Sequence, residues 1–170
     1  MLRRKQKRKE KTSFGIGDSQ SVPNADTARQ KGYDGGKKVS GIKRHIIVDT
    51  NGFPHAIYIT TANVSDKRGM RETIVLNLEN LSEVEKFLLD GGYEGQPFAD
   101  FVKKVHGAEV EIAKRSELHQ FVVIPKRWVV ERSFGWLDKA RRLWKNCEGK
   151  LNNSLHMVIL AFIALLIKRF

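Results

Sequence analysis

Acidic residues are the scarce class in this sequence: 19 Asp and Glu stand against 31 Lys and Arg in 170 residues, giving a formal net charge of +12 and a pI near 10.0. That imbalance argues against an acid-rich binding module and for a polyanionic partner, with nucleic acid ahead of a membrane surface. Cysteine is almost missing. The single Cys147 excludes an internal disulfide framework, and a cytosolic protein is expected. Long apolar runs are missing as well: the longest, Met157 to Ile167, has 11 residues, too few to span a bilayer, and is expected to form a buried closing helix. Charge rather than an apolar segment follows Met1, so no signal peptide is predicted. There is no internal repeat, no CxxC pair and no Walker or GxGxxG pattern, which leaves no sequence signal for a zinc knuckle or a nucleotide cradle.

What is present is ordinary globular composition, 41% hydrophobic and 29% charged, enough for one domain with a real core. The first eleven residues hold seven Lys or Arg against one Glu and read as a disordered, solvated arm, residues 1–13, preceding a domain over 14–170. Phe14, Ile16 and Val22 mark a strand that delivers Asp18. The polar, Gly- and Lys-rich stretch 23–40 reads as a loop exposing Lys31, Lys37 and Lys38, which could touch DNA. KRHIIVDT and HAIYITTA are strand-like runs about the turn Asn51-Gly52-Phe53-Pro54, with Asp49 in a structural role beside it and His45 a packed or surface histidine rather than a ligand. A helix is predicted over Lys67 to Leu78, a strand over Glu85 to Leu89 followed by Asp90 and Gly91-Gly92, and a helix over Gln96 to Val105. Short strands follow at Glu109 to Ala113 and Phe121 to Ile124. Pro125 then precedes a long helix over Lys126 to Lys145 with Val130, Phe134, Leu137 and Ala140 on its apolar stripe. Gly135, one turn after Glu131, suggests a close approach to the backbone there. Asn152-Asn153-Ser154 is expected to cap the last helix.

The order strand, acid, glycine loop, helix places Asp90 where ligand-binding groups gather in open α/β sheets. With Asp18 and Glu131 it makes an Asp, Asp, Glu series. Carboxylates are hard ligands suited to Mg²⁺ or Mn²⁺, and three convergent acids can hold two such ions for phosphodiester chemistry. The bland alternatives are a turn-forming Asp18, a helix-capping Asp90 and an i,i+4 pair of Arg127 with Glu131 on a solvated helix. No persuasive Ser/His/Asp or Cys/His set competes.

Asp18 in GDSQSV, the block GIKRHIIVDTNGFPHAIYITTANVSD, Asp90 in LLDGGYEG and the run PKRWVVERSFGWLDKARRLWKNCE together resemble the DDE transposases of bacterial insertion sequences, in the group marked by a YREK signature. The resemblance covers Ile16 to the C-terminus. It implies a ribonuclease H-like mixed sheet flanked by helices, a two-metal site of Asp18, Asp90 and Glu131, and cleavage plus strand transfer at transposon ends. Arg127 matches the signature arginine. Ile124 falls where its tyrosine would be, and Asp138 takes the place of its lysine, with Lys139 one residue late. The expected DNA contacts are Arg127, Lys139, Arg141, Arg142, Lys43 and Arg44. The partners so implied are transposon-end and target DNA and further copies of the chain on DNA, without a membrane, in the bacterial cytoplasm at the nucleoid. Family members have a longer part that recognises the element's ends, and only 17 residues precede Asp18, so a split-frame product is one expectation. A non-catalytic DNA-binding fragment that inhibits by mixed assembly, and a nuclease without a joining step, are the rival readings.

Overall fold

The computed structural model describes residues 2–5, 7–113 and 127–169, without the side chains of residues 2, 5 and 169. The strand expected at Phe121 to Ile124, and with it Pro125 and Lys126, lies outside the described residues. Six strands form one mixed sheet among them: β1 (Phe14–Pro23), β2 (Gly32–Asp34), β3 (Val39–Val48), β4 (Pro54–Thr61), β5 (Lys86–Asp90) and β6 (Glu109–Ala113). The spatial order is β2-β3-β1-β5-β6, with β4 also on β3. β3 pairs antiparallel with β1, β2 and β4, whereas β1 with β5 and β5 with β6 run parallel. The parallel steps require crossovers, which the helices supply.

Apolar side chains on both sheet faces make three layers. On one face Met70 and Ile74 of α2 (Asp66–Leu76), Leu81 of α3 (Leu78–Leu81) and Phe98 and Val102 of α4 (Gln96–His106) pack on Ile47, Phe87 and Leu89. On the other, Val130, Phe134 and Leu137 of α5 (Trp128–Asp138) and Val158 and Phe162 of α6 (Leu151–Arg169) cover Ile16, Ile46 and Leu88. The predicted stripe of α5 is therefore its core face. Ser65 starts α2 by accepting a hydrogen bond from the Arg68 backbone N at 3.3 Å, and Gly107, at φ 85°, ends α4 in the left-handed region glycine favours.

Several expectations are corrected. The basic arm is ordered against the domain: Leu2–Lys5 form a short helix α1, Arg3 makes an ion pair with buried Asp49, Arg8 donates to Thr50 Oγ1 at 2.9 Å, and Lys11 Nζ donates to Glu79 O at 2.7 Å. Cations that would sit in water find carboxylate, hydroxyl and carbonyl partners in the β3–β4 turn and α3. The stretch 23–40 is not one loop, because β2 and the start of β3 lie within it. Asp90 closes β5 rather than following it. The long helix stops at Asp138, so Ala140, Arg141 and Arg142 lie in turns. Asn152 to Ser154 fall inside α6, whose first N–H, that of Leu151, is capped instead by Gln30 Oε1 at 2.8 Å. Only part of α6 is buried: Ile159, Leu160, Ile163 and Ile167 are exposed, and by length and composition alone the helix could cross a membrane. Asp49 has its expected structural role, its Oδ1 accepting from Asn51 N and Phe53 N at 2.8 and 3.0 Å in the turn.

Candidate active site

Register places the first two acids. Ile16 pairs with Leu88 in parallel, and two residues further along each strand stand Asp18 and Asp90. Parallel neighbours in register share a face, and Ile16 and Leu88 face α5, so both carboxyls issue toward that helix at the carboxyl end of β5. Asp18 lies in the central strand pair, opposite Ile46 of β3. Its Oδ1 accepts from Ser19 N at 2.7 Å. Burial, helped by the charge of Asp90, nonetheless raises its pKa to about 6, against the lowering effects of that hydrogen bond and of Arg127 and Lys37. Asp90 Oδ1 accepts from Gly92 N at 2.9 Å, so the capping role is real and coexists with its position at the site.

The third acid arrives through Arg127. Its guanidinium lies 3.6 Å from Asp90 Oδ2 and 3.4 Å from Glu131 Oε1, bridging the end of β5 and the first turn of α5. Two carboxylates that share one guanidinium can be no farther apart than those contacts and the width of the fork. Asp90 and Glu131 thus share one cation, whose charge Asp18 also feels. Among the described residues, however, no three His, Cys, Asp or Glu side chains are close enough together to hold a metal ion. Asp18 feels the charge of Asp90, and Glu131, 57% exposed, contacts the arginine.

The expected DNA contacts divide. Lys139, Arg141 and Arg142 are exposed in the turn that follows α5, Arg142 pairing with Glu148 at 2.8 Å. Lys43 and Arg44 are not surface groups, which corrects their assignment as contacts. Lys43 is buried between Asp34 and Asp66 at 3.0 and 2.8 Å, and Arg44 is buried with Nη2 on Leu143 O at 2.5 Å and Nη1 on Gln20 Oε1 at 3.2 Å. Both are held by partners inside the fold, although the buried Nε of Arg44 has no hydrogen-bond partner. Asp138, in the place of the signature lysine, accepts from Gln20 Nε2 at 3.0 Å and lies 3.7 Å from Arg44, a tie between α5 and the sheet. A Cβ on Gly135 would meet nothing within 4 Å, so no described protein group makes the expected close approach. Sequence reasoning passed over Tyr93, buried at the end of the turn Gly91–Tyr93, whose hydroxyl is pushed up by burial and by the charges of Asp18, Asp66 and Asp90. Its only sequence signal was its place three residues after Asp90.

A mixed sheet in the order β2-β3-β1-β5-β6, with helices on both faces, is the ribonuclease H-like fold. The chain superposes with a TM-score of 0.58 on a chain of the simian T-cell lymphotropic virus intasome, at 14% identity over 89% of this chain and 47% of that one. It superposes at 0.53 on the HTLV-2 integrase catalytic core domain in complex with magnesium, at 15% identity over 89% of this chain and 83% of that one. The family is fixed by sequence. The model of the transposase DDE domain matches residues 9–167, and the chain belongs to that family. It is 34% identical over 110 residues to the protein assigned as the transposase for insertion sequence element IS402 of Burkholderia cepacia, covering 61% of this chain and 52% of that protein. The chain thus spans about half the length of the curated relative it matches.

Proposed function

We propose that this chain is the catalytic core of an insertion-sequence transposase, cutting and joining DNA strands at the element's ends, with Asp18, Asp90 and Glu131 as its acids. The observation that carries the reading is the parallel register that sets Asp18 beside Asp90, with Arg127 joining Asp90 to Glu131. The donor chemistry fits a divalent cation: two crowded carboxyls, one with its pKa raised to about 6 by burial and by its neighbour, are a site that a hard cation would relieve. Asp18 and Asp90 would hold Mg²⁺ or Mn²⁺, and Glu131 would join them when its contact with Arg127 opens. A bound divalent ion supplies Lewis-acid activation of the attacking oxygen and charge stabilisation at the leaving oxygen. The protein's own part is positioning. β1 and β5 fix the acid pair, Gly92 N orients Asp90, and Arg127, once released from Glu131, is free to take a phosphate oxygen. Lys139, Arg141 and Arg142 guide the duplex by its phosphates, and the chain works as a homo-oligomer on DNA in the bacterial cytoplasm.

The test is Asp90→Asn. Asparagine keeps an oxygen for Gly92 N, so folding is retained while a charged ligand is lost. With Mg²⁺ in excess, cleavage of a duplex carrying the element's end is expected to fall about a thousandfold or more, with binding unchanged, since loss of a metal ligand removes several kcal/mol of transition-state stabilisation. Retained cleavage would reduce Asp90 to a cap.

A further inference from the structure

Besides Arg127, a second cation acts on Asp18, and buried charge holds the turn that carries it. Asp34, at the end of β2, accepts from Gly36 N and Lys37 N on Oδ1, both at 3.1 Å, which shapes the β2–β3 turn. Its Oδ2 accepts from Ser21 Oγ at 2.7 Å and lies 3.0 Å from the buried Lys43 ammonium. Lys43 also contacts Asp66 at 2.8 Å, tying the turn to the start of α2. These contacts hold Asp34 well below the usual carboxylate range despite its desolvation. A buried lysine between two acids is a costly way to brace a surface turn unless the turn has to be in one place. The turn presents Lys37. Its Nζ donates to Ser19 O at 3.2 Å, on the residue that follows Asp18, and lies 3.8 Å from Asp66 while the side chain remains 44% exposed. Asp18 feels its charge.

We propose that Lys37 is a substrate-positioning residue, its ammonium binding a backbone phosphate of the DNA strand that enters beside Asp18. The claim rests on the assignment of Asp18 and Asp90 to the catalytic site. A lysine suits this role as a mobile point charge: it can leave the Ser19 carbonyl for a phosphate oxygen without moving the braced turn. Lys43 is the brace and Lys37 is the contact.

The experiment compares Lys37→Ala and Lys37→Arg with Lys104→Ala, which removes an exposed charge on the last turn of α4, at the far end of the sheet from Asp90. Binding of a fluorescein-labelled duplex carrying the element's end is measured over a salt series, and single-turnover cleavage is measured in Mg²⁺, with thermal melting of every variant. Lys37→Ala is expected to lower the magnitude of the slope of log K against log salt by about one, the signature of one lost phosphate contact, and to slow cleavage about tenfold. Lys37→Arg should restore most of both. Lys104→Ala should cleave within about twofold of the parent. Lys37→Ala indistinguishable from Lys104→Ala in slope and rate overturns the proposal, as does a lowered melting temperature with the slope unchanged, which would make Lys37 a structural brace. Asp90→Asn in the same series separates the two levels. If it cleaves normally, the site assignment and the proposal fall together, and if it is dead while Lys37→Ala matches the control, only the proposal falls.

Discussion

Asp18 and His45 lie on adjacent strands and titrate with opposite consequences for stability. Buried His45, with Nε2 3.0 Å from Thr60 Oγ1, has its pKa lowered by burial to about 4, so between that value and 6.5 the unfolded chain binds the extra proton. Its contribution to stability is complete above pH 6.5 and is lost as pH falls toward 4. Asp18 is raised to about 6 from 3.8, so the folded state binds the extra proton, and its cost, full above pH 6, fades as pH falls. Each is worth on the order of 3 kcal/mol at full extent, and the two offset one another. Asp18→Asn removes one side of the balance. In metal-free buffer its unfolding free energy, from urea titration, is expected to fall on acidification from pH 6.5 to 5 by about 1–2 kcal/mol more than that of the parent. Carboxylates with lowered pKa values, Asp34, Asp49 and Asp66, respond nearer to their unfolded value of 3.8 and leave that window clear. Equal slopes for both proteins would refute the raised pKa of Asp18. The same imidazole limits α2: a Cβ on Gly69 would lie 2.1 Å from His45 Cε1 and Nε2, so Gly69→Ala should lower stability by about 1–3 kcal/mol in denaturant titration.

At the level of elements, β3 and α5 show what periodicity can and cannot reveal. The apolar stripe of α5 was legible because Val130, Phe134 and Leu137 repeat at helical spacing, and all three are buried. The helix's stop was not legible. Lys139, Ala140, Arg141 and Arg142 are good helix formers, and what ends the helix is tertiary: Arg44, ninety-nine residues earlier, holds the Leu143 carbonyl at 2.5 Å. For the same reason the basic pair Lys43-Arg44 read as a DNA contact, since nothing local in KRHIIV shows that both side chains have buried partners. The acids were legible one at a time, by element and position, but their convergence was not, because it depends on the parallel register of β1 and β5. The structural role of Arg44 is testable. Arg44→Ala should cost about 3 kcal/mol or more, from lost packing and an orphaned carbonyl, and should leave the salt slope of DNA binding unchanged. A slope lower in magnitude by about one in a well-folded Arg44→Ala variant would return it to the DNA surface.

For the whole molecule, charge distribution sets how the proposed catalytic core would meet DNA. A net charge of +12 is borne by a fold whose α6 has no Asp, Glu, Lys or Arg from Leu151 to Ile167, so the positive field is concentrated elsewhere. Two of the arm's cations, Arg3 and Lys11, are turned into the domain, which leaves Lys139, Arg141 and Arg142 after α5 as prominent exposed cations close in sequence to the acid site. Contacts of this kind go to phosphates. They place the duplex without reading it, and they weaken steeply as salt rises through counterion release. Base reading needs a helix or ribbon set into the major groove, whereas α5 buries its stripe in the core and uses its first turn to hold Arg127 and Glu131 at the acids. The 170-residue chain by itself is therefore expected to bind duplex DNA with strong salt dependence and little sequence preference. Competition at near-physiological salt between a duplex carrying the element's end and one of random sequence decides the matter. A preference below about tenfold, roughly 1.4 kcal/mol, is the expected outcome, and a larger one would mean that the catalytic core itself recognises the end it cuts.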